Sequence, residues 1–267
     1  MNFGQQLPLP LPGARVLRRT PRCTWLKIGQ RHPNVLRATG KYNLCLTPNQ
    51  TRKLGVASVA PLGCGVFACA YPHLDPDKVV KITRDGSDVA GLYLGQGLSR
   101  VPKLYGRYKL TSPAHWAAMS YDDRSSVAGT SPGPVYGLVV ERVQPMQGAQ
   151  KRAWSKRINR IAWYLNQGIR QWRHARSLAT YQPSLSTVRK ALNSCPKDKK
   201  NREACRRLAR DMLRAQVELA RRGVALTDLH IGNIGIAADG HWKVIDLGFS
   251  ERGTGMSARG LRGARRR

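Results

Sequence analysis

The sequence predicts an α+β fold, on three observations. Short runs of β-branched and aromatic residues, bounded by Gly, Pro or Asp, fill the stretch from Val59 to Val143. Helical periodicity takes over after position 150. Strand-like residues then return at 234–237 and 242–245, around an Asp239-Gly240 step suited to a tight hairpin turn. An antiparallel sheet with one helix, followed by a mostly helical region, accommodates this order.

Residues 1–22 are rich in Pro, Gly and Arg and lack periodicity, so they read as a disordered basic tail. An N-terminal extension follows over 23–58, with apolar pieces at Trp25-Leu-Lys-Ile28 and Tyr42-Asn-Leu-Cys-Leu46 that suit a helix-and-strand preface. Strands are expected at 66–71, 78–83, 104–110 and 136–143. Between the second and third a helix is expected, with Ser87 as its cap and Val89, Leu92 and Tyr93 on one face. Gly91, Gly95 and Gly97 weaken it. The Ser, Gly, Pro and double Asp of 111–134 read as a long surface insertion. Further on, Trp154, Ile158, Ile161 and Leu165 recur at helical spacing, as do Ala204, Leu208, Met212 or Leu213, and Leu219. Between 151 and 222 there are 20 Lys or Arg against 4 acids, which makes the outer faces of these helices basic. Residues 253–267 read as a basic tail.

The net charge of +31 bounds partners more than fold: acidic proteins, nucleic acid or other anionic surfaces are attracted to such a chain. No run approaches the roughly 18 apolar residues of a membrane span. The proline-broken start lacks a compact apolar signal core, so the expected location is cytoplasmic (the host cytoplasm, if the chain is viral) with no membrane partner. The six cysteines form no Cys-x-x-Cys pair, so neither a zinc site nor a disulfide framework is expected, and reduced thiols are the default.

The most informative stretch is Asp228-Leu-His-Ile-Gly-Asn233, followed thirteen positions on by Asp246-Leu-Gly248. Two carboxylates and an amide in this order suit phosphoryl transfer from ATP: one acid takes the proton of the attacking hydroxyl, while the amide and second acid hold metal ions. Upstream lie Leu62-Gly-Cys-Gly65, where Gly63 and Gly65 permit close approach of backbone N–H groups to phosphates. Lys81 stands in an apolar strand, where an inward ammonium needs an anion.

Together these motifs make residues 60–250 resemble the eukaryotic-like protein kinases. Leu62-Gly-x-Gly-x-Phe resembles the glycine-rich loop, Val79-Val-Lys81-Ile the nucleotide-binding lysine strand and Val140-Glu-Arg-Val143 the hinge. The 228–233 stretch resembles the catalytic loop, and Asp246-Leu-Gly248 the metal-binding triplet. Within that group the chain looks most like the small early-gene serine/threonine protein kinases of short-tailed bacteriophages, through Ala-Tyr71, Val-Lys81 and His-x-Gly-Asn233.

The resemblance implies a two-lobed α+β kinase-like fold. It has an antiparallel N-lobe sheet over 59–146 that carries the 111–134 insertion, and a shortened helical C-lobe over 147–252. It implies an enzyme using ATP and Mg2+ (or Mn2+), with Asp228 as base, Asn233 and Asp246 as metal ligands, and Lys81 on the α- and β-phosphates. The backbone of Glu141 and Val143 would take the adenine edge. His230 either touches the γ-phosphate or makes a loop-orienting hydrogen bond.

Several residues depart from the family pattern. Ala68 replaces the third glycine, and Leu226-Thr227 replaces the His-Arg before the catalytic Asp. No Glu precedes Glu141, so the carboxylate partner of Lys81 is Asp88, with Asp85 behind it, or is absent. Asp88 equally suits stabilising a helix N-terminus. Nineteen residues follow Gly248, too few for a full activation segment and peptide platform.

The expected function is phosphate transfer to Ser or Thr of an acceptor protein, itself acidic or associated with nucleic acid. One alternative is a small-molecule kinase of the aminoglycoside or sugar type. Another is a weakly active kinase-like module that binds nucleic acid, or its machinery, directly through the basic surface.

Overall fold

The computed structural model describes residues 24–28, 43–65, 68–83, 85–110, 135–175, 177–247 and 251–252. The expected tails at 1–22 and 253–267, the 111–134 insertion, and Gly248 lie outside the described residues. The class is α+β with antiparallel sheets, as the pattern predicts.

The N-terminal extension is a strand pair and a helix. β1 (Thr24–Lys27) pairs antiparallel with β2 (Asn43–Leu46), and α1 (Pro48–Leu54) follows. Thr47 starts α1 with a reciprocal capping box: its side chain accepts from the Gln50 amide, and the Gln50 side chain accepts from the Thr47 amide. Pro48 occupies the first turn, where its missing N–H costs nothing.

A five-stranded antiparallel sheet comes next: β3 (Gly63–Cys64), β4 (Ala68–Pro72), β5 (Lys78–Thr83), β6 (Leu104–Lys109) and β7 (Tyr136–Glu141), in the spatial order β3-β4-β5-β7-β6. Its two faces follow the strand period of two. Val80, Ile82, Val139, Cys69 and Tyr71 pack with Leu26, Leu44, Leu46 and Leu54 from β1, β2 and α1. Leu138 and Val140 face the other way, into the larger core. There α2 (Gly86–Leu94) contributes Val89 and Leu92, and the later helices supply Ile158, Ile161, Leu165, Leu208, Met212 and Leu219. Lys81, one residue from Val80 and from Ile82, therefore lies on the α2 face.

Those helices are α3 (Gly148–Ala175), α4 (Leu185–Asn193) and α5 (Lys199–Arg221). A buried ion pair ties the segment between α2 and β6 to α5, Arg100 Nε to Asp211 Oδ1 at 2.7 Å. β8 (Gln144–Pro145), β10 (Ile234–Ile236) and β11 (Trp242–Val244) make a small sheet, and β9 (Val224–Ala225) pairs with β12 (Glu251–Arg252). Gly235 is needed where β10 meets β8: a Cβ there would stand 2.6 Å from the Gln144 carbonyl oxygen. The β10–β11 turn is the expected one, with Gly240 at φ +76°.

Three sequence expectations are corrected. The cap of α2 is Asp85, whose carboxylate accepts from both the Ser87 amide at 2.8 Å and the Ser87 hydroxyl at 2.6 Å, so Ser87 lies inside the helix and bonds to the cap. Ala204 is exposed and its neighbour Cys205 takes the buried position on α5. The thiols are not reduced: Cys64–Cys69 and Cys195–Cys205 are disulfides, and Cys45 is also disulfide-bonded. Sheet register makes the first pair, setting Cys64 directly opposite Cys69 with Cα atoms 4.1 Å apart, and a search for Cys-x-x-Cys spacing does not see cross-strand neighbours. Among the described residues no helix is long and apolar enough to cross a membrane.

Candidate active site

Lys81 is the centre of the site. Its ammonium stands 2.8 Å from Asp88 Oδ2 and 3.3 Å from Asp246 Oδ1, with the Ile245 carbonyl at 3.4 Å. Asp88 lies in the first turn of α2 and is 1% exposed. Its other oxygen accepts from the Leu247 amide at 3.1 Å, so one carboxylate clamps both the β5 lysine and the segment after β11. Of the two acids open at the sequence level, Asp88 is the partner of Lys81 and Asp85 is the helix cap. Burial opposes the Lys81 charge, but the carboxylates of Asp88 and Asp246 outweigh it and hold the ammonium above the usual lysine range. The Asp88 carboxyl is pushed up to about 6 by burial, against the pull of Lys81.

The 227–233 loop lies beside this cluster. Asn233 is buried, and its Nδ2 donates to the Asp228 carbonyl at 2.9 Å and to Asp228 Oδ2 at 3.4 Å. Its backbone carbonyl accepts from the Ile245 amide at 2.9 Å, which ties the loop to the Asp246 segment. Burial lifts the Asp228 carboxyl above the usual carboxylate range; the His230 charge and the Asn233 hydrogen bond oppose this, and the Asp246 charge adds to it.

His230 folds back on its own loop. Its Nδ1 accepts from the Gly232 amide at 3.0 Å, and its Nε2 lies 3.8 Å from Asp228 Oδ2. A Cβ at residue 232 would meet the imidazole at 2.8 Å, so glycine is what admits the ring. The geometry is that of the loop-orienting hydrogen bond.

What holds the loop is not visible in the sequence. Asn159, Asn166 and Arg170 project from α3 at near-whole-turn spacing. Asn159 Oδ1 accepts from the Ile231 amide (3.0 Å), Asn166 bonds both the Leu229 amide (3.1 Å) and its carbonyl (3.0 Å), and Arg170 donates to the Thr227 carbonyl (3.1 Å). Behind them Gln216, fully buried on α5, donates to the Leu165 and Leu226 carbonyls and accepts from the Tyr181 hydroxyl. The available signal is asparagine, a weak helix former, recurring seven residues apart inside a long helix. Asn166→Ala strands two backbone groups of the loop and is expected to cost about 1–3 kcal/mol, read as a lowered urea midpoint with an unchanged slope.

The remaining candidates sit on or beside the two larger sheets. Gly63 opens β3 opposite Ala70, Gly65 follows that strand with its amide donating to the Ala68 carbonyl (2.8 Å), and a Cβ at Gly63 would meet nothing within 4 Å. Internal packing therefore does not require that glycine. Glu141 ends β7; its amide donates to the Lys103 carbonyl (2.9 Å) and its carboxylate receives the Lys103 amide (3.0 Å). The same carboxylate takes Lys243 Nζ at 2.7 and 2.8 Å. Lys243, 3% exposed on β11, belongs to no motif, although it interrupts an apolar Trp-Lys-Val-Ile run much as Lys81 does. Val143, at the edge of the small sheet, is buried.

Among the described residues no group of three or more His, Cys, Asp or Glu side chains could hold a metal by itself. Asp246 with Asn233 is instead an incomplete set of oxygen donors. The Asn233 Nδ2 is turned to Asp228, which leaves its Oδ1 for a cation. A carboxylate and an amide oxygen are the kind of donors Mg2+ takes, since it binds through one or two protein oxygens and completes its shell with water and phosphate.

No protein-family model matches this chain, and no curated protein matches it.

Proposed function

We propose that this chain is an ATP-dependent phosphotransferase of two-lobed, protein-kinase-like architecture, acting on Ser or Thr of a protein acceptor. One observation carries the reading. Lys81, Asp88, Asp246 and the Asp228–Asn233 loop come from four separate segments of the chain and are joined by contacts, the loop meeting Asp246 through the backbone of its neighbour Ile245. A charged lysine held by two carboxylates, in register with Gly63 across β4, is poised to receive phosphate oxygens.

In this reading the five-stranded sheet with α2 forms the first lobe, and α3, α5 and the small sheets form the second. Lys81, oriented by Asp88, binds the α- and β-phosphates. Asn233 and Asp246 would hold Mg2+, which would neutralise charge on the phosphates. Asp228 takes the proton of the acceptor hydroxyl as its oxygen bonds to the γ-phosphorus and the bond to ADP breaks. The raised Asp228 carboxyl is a better proton acceptor than an ordinary one, and the α3 asparagines keep it in place. His230 orients the loop. Glu141 offers its carbonyl to the purine edge while Lys243 fixes its side chain, and Val143 lines the same edge. The acceptor class follows the resemblance to the early kinases of short-tailed phages.

The test is incubation of the purified chain with γ-labelled ATP, Mg2+ and a total cell extract, followed by phosphoamino-acid analysis. Label on Ser or Thr, abolished by Asp246→Ala, is expected. Absence of transfer to protein with either Mg2+ or Mn2+ would overturn the reading.

The glycine turn supplies a separate prediction. Gly63→Val projects into open space, so stability should stay within about 0.5 kcal/mol. Nucleotide affinity should fall, because the new side chain occupies the phosphate approach. Equal affinity in a fluorescent-nucleotide titration would remove Gly63 from the site.

A further inference from the structure

We infer that one face of α3 is the docking surface for the acceptor, and that it takes a short acidic peptide segment. The helix holds seven Lys or Arg and no acid over its length. Its placement is set by the loop: Asn159, Asn166 and Arg170 grip residues 227–231, so the residues beside them on the helix border that loop. At 3.6 residues per turn, Arg152, Lys156 and Trp163 all fall within about 60° of Asn159 round the helix axis, and Arg160 lies just outside them. All four are exposed, Trp163 at 56% of its surface. Trp163 sits along the axis between the two asparagines, its ring edge-to-face with Tyr164 at 5.0 Å.

An exposed indole beside three cations that make no ion pair among the described residues offers an apolar and an anion-binding contact side by side. The cations ask for carboxylates, and the indole asks for one apolar side chain. The stripe from Arg152 to Trp163 spans about 17 Å at 1.5 Å per residue, which matches about five residues of extended peptide. Nucleic acid would spread its phosphates beyond so short a track. A peptide lying along it would run past the loop that carries Asp228, where a Ser or Thr hydroxyl must arrive. The inference rests on the phosphotransferase reading for that last step only.

The experiment uses the full chain without nucleotide and a fluorescein-labelled peptide of Asp and Glu residues with one Leu and one Ser, followed by anisotropy. The triple reversal Arg152→Glu, Lys156→Glu, Arg160→Glu is expected to weaken binding about tenfold or more while the melting curve is kept. A peptide with Lys in place of its acids should bind the reversed protein in preference to the parent, which a general loss of structure would not produce. Trp163→Ala should weaken binding of the acidic peptide about threefold, and the effect should shrink when Leu is replaced by Ser in the peptide. The inference is overturned if the reversed protein binds the acidic peptide as well as the parent does, or if a labelled single-stranded oligonucleotide displaces the peptide and binds the same four residues more tightly. Adding ATP and Mg2+ separates the two claims: binding without phosphorylation of the Ser sustains the surface and overturns the phosphotransferase reading.

Discussion

Asp228→Asn should lower phosphoryl transfer by about 10²–10⁴ while leaving nucleotide affinity unchanged, the range expected for loss of a positioned general base. The asymmetry follows from geometry. Asp228 touches Asn233 and faces His230, and Lys81 contacts Asp88 and Asp246 instead. The amide keeps the shape of the carboxylate and can still face Asn233, but it cannot accept the hydroxyl proton. Single-turnover rates measured beside fluorescent-nucleotide titration separate the two effects. Turnover near that of the parent would take Asp228 out of the chemistry, and loss of nucleotide affinity would place it at the phosphates instead.

Lys81→Met should abolish most activity and also destabilise the fold, because Asp88 is 1% exposed and loses its cation. Removing one partner of a buried ion pair typically costs about 3–5 kcal/mol. The double variant Lys81→Met, Asp88→Asn separates structure from function. Asparagine keeps an acceptor for the Leu247 amide and leaves no buried charge, so most of the lost stability should return. Activity should not return, since neither side chain now offers a cation to phosphate; a fall of at least about 10² is expected for removing a charged donor. Denaturation midpoints and initial rates on the four proteins of this cycle decide it. A double variant that regains both would make the pair a purely structural one.

Much of the framework was legible because it is written in local patterns. β5 came out at its predicted bounds, Lys78–Thr83, since a run of β-branched residues bounded by turn formers marks a strand locally. Ile158, Ile161 and Leu165 were legible on α3 because they recur at the helical period of about 3.6 residues per turn. The candidate residues Lys81, Asp228, Asn233 and Asp246 could be named because loop chemistry and spacing are also local.

Partnership was not. Asp85 and Asp88 both suit a helix start, and only the packing of α2 against β5 turns one into a cap and the other into the partner of Lys81. Lys243 meets Glu141 across 102 positions, and Asp88 meets the Leu247 amide across 159. Asn159 and Asn166 read as ordinary polar helix positions until the loop is laid along them. Cys64 and Cys69 meet only because a two-residue strand turns back in one register. By itself the sequence determined the main strands of the larger sheet, the two long helices and which side chains carry charge or chemistry, because burial and backbone geometry repeat over a few residues; it missed the helix Leu185–Asn193. The tertiary structure alone decided which of those side chains meet. Such contacts join segments far apart in the chain, and their energy depends on the packing of the whole sheet and helices, which no local pattern records.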